Sequence, residues 1–354
     1  MEQDARRQHA IAAIFRRMDE MAAQCGEKFP LFRAAADTQW TLSKRGSWMG
    51  GFWAGLWWLK ASVTDNVVDR AHAVRWCMRL EASLDEPSVN RSFVFWYGAG
   101  LGNQLHTDAA AGQLAQRATH TLLNRFDETL AVWPLDEGMG AGERGRCMLD
   151  LDSLAPLLAL MHAYGGSIGR DLAQQHLDSC LTHLADATGA WRSRKVLDVT
   201  QTQATPIWPR GQAWAMLGLA EAACRYGTQR YVDAALRACE YWHRQLCVPE
   251  SGVWGKPDPS AVAIACVAMF RLWQHMPEQQ WLHQQSCLHI EALLTAEVVQ
   301  AGVFVGHHYR TRPETSELVE SPCALFFLLE ALLCICATPI LNTPLNTPSR
   351  GTFA

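Results

Sequence analysis

The chain has 354 residues, 49% of them hydrophobic and 19% charged, with a formal net charge of −4. That composition supplies a substantial core and excludes wholesale disorder, and the lack of a basic stripe argues against nucleic acid as a partner. No apolar run reaches the ~18 residues needed to span a bilayer, so no membrane role is expected. In chain order, MEQDARRQHAIAAIFRRMDEM predicts an amphipathic charged helix without the apolar stretch of a signal peptide, and the expected location is the cytoplasm. Apolar periodicity then predicts helices starting near residues 5, 47, 66, 91, 106, 150, 168, 210, 229, 259, 278 and 321, and few stretches alternate as strands do.

These helices fall into two kinds. GGFWAGLWWL, LDSLAPLLALMHA, SAVAIACVAMFRLW and CALFFLLEALLCICA are apolar on nearly every face. DNVVDRAHAVRWCMRLEASL and QRYVDAALRACEYWHRQL carry a charged stripe. A helix apolar all round is buried and a striped one is half-exposed, so strict alternation along the chain predicts two concentric layers. Connections from buried to exposed helices are short, whereas residues 26–46, 127–149, 188–209 and 300–320 form long loops that all emerge beside the N-termini of the inner helices. The expected fold is all-α: a barrel of six helical hairpins, an (α/α)6 toroid, over residues 1–337 as one domain. The tail from 338 to 354, with its repeated LNTP, is expected to be disordered.

Fifteen tryptophans against six tyrosines is an unusual ratio, and Trp40, Trp48, Trp133, Trp191, Trp208 and Trp254 fall in or beside the long loops, with Arg45, Asp150, Arg210, Asp258 and His308. Aromatic walls with a few polar groups, facing helix N-termini, suit an anionic saccharide. The segment IWPRGQAWAMLGLAE reads on spacing alone as a capped helix with a surface arginine and a core tryptophan, though Arg210 also offers a planar fork for a carboxylate and Gly211 a close approach. Asp150 and Asp152 in CMLDLDSLAPLLAL could each cap the helix they open; walled in by Trp and Leu, such a carboxyl would also suit a general acid. Asp258, followed by Pro259, reads first as an N-cap. His307 and His308 lie in a long loop without a third ligand nearby, Glu314, Glu317 and Glu320 read as solvated, with Glu320 alternatively within reach of the barrel mouth, and GAGLG reads as close helix packing. Cys180, Cys224, Cys239, Cys266 and Cys334 lie in apolar helical runs, and the cysteines read as reduced core residues. No metal or cofactor motif is present, and the expected catalytic residues are Asp150 and Asp152. The expected binding residues are Trp48, Trp53, Trp96, Trp133, Arg194, Arg210, Gln212, Trp214, Asp258 and His308.

In order along the chain, SWMGGFWAGLWWL, LDSLAPLLAL, WPRGQAWAMLGLAEA, PDPSAVAIACVAMFRL and FFLLEALL resemble the unsaturated glucuronyl hydrolases of glycoside hydrolase family 88, and more distantly family 105. The resemblance implies an (α/α)6 barrel and hydration of the C4=C5 vinyl ether of an unsaturated uronic acid. It also implies Asp150 as acid/base, Arg210 and Trp214 at the uronate end, and Trp48 stacked on a ring. The chain departs from the family at four places: FVFWYGAGLG stands where a His-Asp pair is usual, Leu154 where an Asn is, Arg194 near the place of a His, and Cys323–Leu325 where Gly-Asp-Tyr is. Asp152 is the candidate to replace the missing carboxylate. The alternatives are a catalytically altered barrel that binds saccharide in exopolysaccharide synthesis, or a sugar epimerase or isomerase. The expected partner is an acidic oligosaccharide, and the expected assembly a monomer or homodimer.

Overall fold

The computed structural model describes residues 2–197, 207–246, 258–296, 298–312 and 314–336; Trp254 and the LNTP tail lie outside the described residues. The helices are α1 (Glu2–Cys25), α2 (Met49–Thr64), α3 (Val67–Arg79), α4 (Arg91–Phe95), α5 (Leu101–His106), α6 (Ala109–Leu123), α7 (Leu154–Tyr164), α8 (Gly166–Leu184), α9 (Pro209–Tyr226), α10 (Gln229–Leu246), α11 (Pro259–His275), α12 (Gln280–Thr295) and α13 (Pro322–Ile335). A π-helical turn, Trp96–Gly100, joins α4 to α5, so the two form one rod and every predicted helix has a counterpart. A Cβ on Gly98 would lie 3.2 Å from the Cα of Gly51, which agrees with the close packing expected of GAGLG.

The apolar helices form the inner ring. α2, the α4–α5 rod, α7, α9, α11 and α13 each pack on the next, and α13 returns to α2. The outer helices lie over them: α3 on α2, α6 on the α4–α5 rod, α8 on α7, α10 on α9, α12 on α11 and α1 on α13. This is the (α/α)6 barrel. Its tight turns come at one end, where Asp65, Thr107 and Gly227 cap α2, α5 and α9 in the left-handed conformation that reverses a chain after a helix. The opposite ends of α9, α11 and α13 start with Pro209, Pro259 and Pro322, whose fixed φ suits a first helical turn.

The long loops contain strands that the sequence did not announce. They are β1 (Phe29–Ala34), β2 (Thr41–Ser43), β3 (Met148–Asp150), β4 (Arg194–Val196), β5 (Val299–Gln300), β6 (Val303–Arg312) and β7 (Thr315–Glu320). One antiparallel sheet runs β2-β1-β7-β6-β5, and β3 pairs with β4. His307 and His308 therefore sit on a strand, not in an irregular loop. Glu320 is also not solvated: it is 0% exposed and accepts from Arg17 at 2.8 and 2.9 Å and from Arg33 at 2.8 and 3.0 Å. That fork ties α1 and β1 to β7.

The barrel axis is filled. Phe52 stacks on Tyr97 at 4.7 Å, Tyr97 meets Phe326 at 4.9 Å, and Trp214 lies between Phe93 at 5.2 Å and Phe327 at 5.1 Å. Towards the tight-turn end, Arg271 bonds Glu330 at 2.5 Å and Glu221 at 3.3 Å, and Arg225 bonds Glu221 at 2.5 Å. All described cysteines are free thiols. Among the described residues no helix is long and apolar enough to cross a membrane.

Candidate active site

The mouth is organised by the β3–β4 ladder, in which Asp150 pairs directly with Arg194. The side chains follow the same register. Arg194 Nε donates to Asp150 Oδ2, while the Asp152 backbone N–H donates to Asp150 Oδ1 at 3.1 Å. Asp150 is 0% exposed and closes β3, so it does not cap α7, which begins at Leu154. Neither aspartate bonds the helix start, and the capping expectation is corrected for both. Asp152 lies one step nearer solvent; its Oδ1 is shielded yet bonds no described group.

Both carboxyl groups are pushed up. Burial raises Asp150 against the opposing charge and hydrogen bond of Arg194. Burial, then the charge of Asp150, carries Asp152 up to about 7, with Arg194 and Arg210 pulling the other way. Two carboxyls this close cannot both ionise cheaply, so the pair retains a proton near neutrality.

Arg210 forms the second wall. It is 6% exposed, not the surface arginine that spacing suggested. Its guanidinium lies 4.2 Å from the Trp208 ring, pairs with Asp258 Oδ2, and donates to the His308 carbonyl at 3.0 Å. Asp258 Oδ1 accepts from Ser260 at 2.5 Å, so its carboxylate orients the arginine and makes no helix-cap bond. The close approach expected at Gly211 is made by the protein itself: a Cβ there would lie 2.0 Å from Ser193 Oγ, on the segment leading into β4.

Trp48 is partly buried at the start of α2, with its ring 6.0 Å from that of His307 and 5.9 Å from Phe93. Trp214 lies deeper, 2% exposed on the axis. The other expected binding residues lie elsewhere. Trp53 packs edge-on against Trp57 and Trp76, both at 5.9 Å, in the layer between α2 and α3. Trp133 is 1% exposed, with its indole donating to Leu122 O at 2.7 Å. Trp96 faces Arg225 at 6.0 Å, near the tight-turn end. Gln212 is consumed by structure, accepting from Trp191 N at 2.9 Å and donating to Gly189 O and Ala238 O at 2.9 and 3.1 Å. Arg45 turns outward to Glu86 at 2.8 Å. His308 supplies its carbonyl to Arg210. Its neighbour His307 was weighed from sequence only as a metal ligand, and Ser193, Ser260 and Ser321 were not singled out.

The α4–α5 rod, RSFVFWYGAGLGNQLH, brings no carboxylate to the ring, so the second carboxyl beside Asp150 is Asp152. No family model matches the chain. An unsaturated glucuronyl hydrolase of Formosa agariphila is 22% identical over 321 residues, 80% of this chain and 79% of that protein. The enzyme of that name from Bacillus sp. strain GL1 is 26% identical over 246 residues, 64% of each chain. The crystal structure of the Bacillus sp. GL1 enzyme superposes with a TM-score of 0.82 at 21% identity, covering 92% of this chain and 96% of the other. A Streptococcus agalactiae unsaturated glucuronyl hydrolase mutant, complexed with dGlcA-GalNAc6S, superposes with a TM-score of 0.75 at 16% identity over 94% of this chain and 91% of the other. The chain is thus similar over most of its length to unsaturated glucuronyl hydrolases and shares the six-hairpin barrel of their solved structures.

Proposed function

We propose that the protein hydrates the C4=C5 double bond of a 4,5-unsaturated uronic acid at the end of an acidic oligosaccharide and thereby releases the sugar beneath. The Asp150–Asp152 pair carries this reading. Asp152 keeps a proton up to about pH 7 and has a shielded oxygen that bonds no described group, which suits a general acid. Asp150, held by Arg194, fixes the loop and raises its neighbour. Asp152 gives its proton to C4 while a water attacks C5 and passes its surplus proton to the carboxylate just formed. The resulting hemiketal opens by cleavage of the C5–O5 bond, leaving a ketone at C5. The anomeric carbon then becomes an aldehyde as its glycosidic oxygen leaves as the hydroxyl of the next sugar.

Arg210, Trp48 and Trp214 support an acidic sugar at this place. The Asp258–Arg210 pair leaves the guanidinium oriented yet partly neutralised, so binding relies on uncharged groups as well. The test is loss of the ultraviolet absorbance of the C4=C5 bond on unsaturated disaccharides such as dGlcA-GalNAc6S. Turnover by the native protein, reduced at least ~10²-fold in Asp152→Asn, supports the reading. Saccharide binding without turnover on a broad panel would move the protein to the binding-only alternative.

A further inference from the structure

β6 and β7 do not pair evenly. Val305 lies opposite Glu320 and His307 opposite Val319, so β6 spends an extra residue, Gly306, on one step of its partner. Such a bulge turns the following side chain to the other face. Phe304 and Gly306 are buried on β6, and strict alternation would turn His307 outward; instead it is 0% exposed. Its ring is 6.0 Å from Trp48 and 5.3 Å from Tyr309.

The proton on this imidazole is assigned by its neighbour. Ser321 caps α13 by accepting from Ala324 N at 3.2 Å, and its Oγ lies 2.6 Å from His307 Nδ1. A buried hydroxyl must also donate, and Nδ1 is the acceptor within reach. Nδ1 is then unprotonated and Nε2 carries the hydrogen. That Nε2 is buried and bonds no described group. Burial first, then the positive charge of Arg210, keeps the ring neutral by lowering its pKa well below the ordinary value. The result is an oriented, uncharged N–H donor between the Trp48 ring and the N-terminus of α13.

We propose that His307 is a further substrate-binding residue, its Nε2–H donating to an oxygen of the terminal acidic sugar beside Trp48. The proposal rests on the saccharide reading above but not on turnover. His307→Asn can keep the contact with Ser321 while removing the outer donor, whereas the longer amide of His307→Gln can reach the Nε2 position. Calorimetric binding of dGlcA-GalNAc6S is measured in the Asp152→Asn background, and KM and kcat in the active protein. His307→Asn is expected to raise Kd and KM about tenfold with kcat within about twofold and an unchanged melting temperature, and His307→Gln to recover most of the loss. Native-like affinity in His307→Asn, or equal weakening in both variants with a lower melting temperature, would overturn the proposal. If binding follows the expected pattern while the native protein shows no turnover, the subsite stands and the hydration reading fails. If the native protein does not bind the disaccharide, both fail.

Discussion

At the scale of single residues, the proposed chemistry turns on a proton that burial keeps on the Asp152 carboxyl group. A general acid must be protonated to act, so activity should fall as pH rises through about 7, the value to which Asp152 is pushed. The same shift acts on stability. The folded state holds this proton more tightly than the unfolded chain, so stability declines as pH rises from about 4 to about 7 and stays lowered above. Asp152→Asn should therefore melt a few degrees above the native protein at about pH 8 and together with it at about pH 3, as thermal denaturation at the two values would show. Asp150, Asp152 and Arg210 were legible in the sequence because each stands in a motif ahead of an apolar helix. His307 was not: its inward direction depends on one extra residue in the pairing of two strands, and His308 was the natural choice without that bulge. Trp53, Trp96 and Trp133 were misplaced for a related reason, since a large apolar ring serves a core as readily as a binding wall.

Among elements, the helices could be read because a 3.6-residue period persists through each of them. The strands could not, being two to ten residues long and mostly half-buried; all three residues of Arg194–Val196 are half-buried and show no alternation. That omission hid the device that positions Asp150, the short ladder to Arg194. The ladder is seated against the first turn of α9 where Ser193 meets Gly211. Gly211→Ala would drive a methyl group into Ser193 Oγ and displace the ladder, so kcat is expected to fall at least ~10-fold. Adding Ser193→Ala removes the colliding oxygen and should restore most of the activity; failure of that rescue in a steady-state assay would show that the ladder does not seat there.

For the molecule as a whole, the sheet over the mouth is anchored by one buried carboxylate shared between two arginines. Glu320→Gln would remove the buried counter-charge that Arg17 and Arg33 share, leaving Arg17 only the exposed Glu20, and the expected loss is about 3 kcal/mol in denaturant unfolding. The double layer itself was legible from the alternation of apolar and striped helices, whereas this anchor was not, because Arg17, Arg33 and Glu320 are far apart in sequence and carry no shared motif. The aromatic filling of the axis has a kinetic consequence. With Phe52, Tyr97, Trp214 and the two phenylalanines of α13 occupying the centre, and the Arg271 ion pairs beyond them, the axis is filled behind the mouth among the described residues. On the proposed reaction, the fragment derived from the uronic acid forms at the back and leaves only after the sugar in front of it has gone. Product release is thus ordered, and the rear fragment should inhibit competitively against substrate while the front sugar inhibits non-competitively.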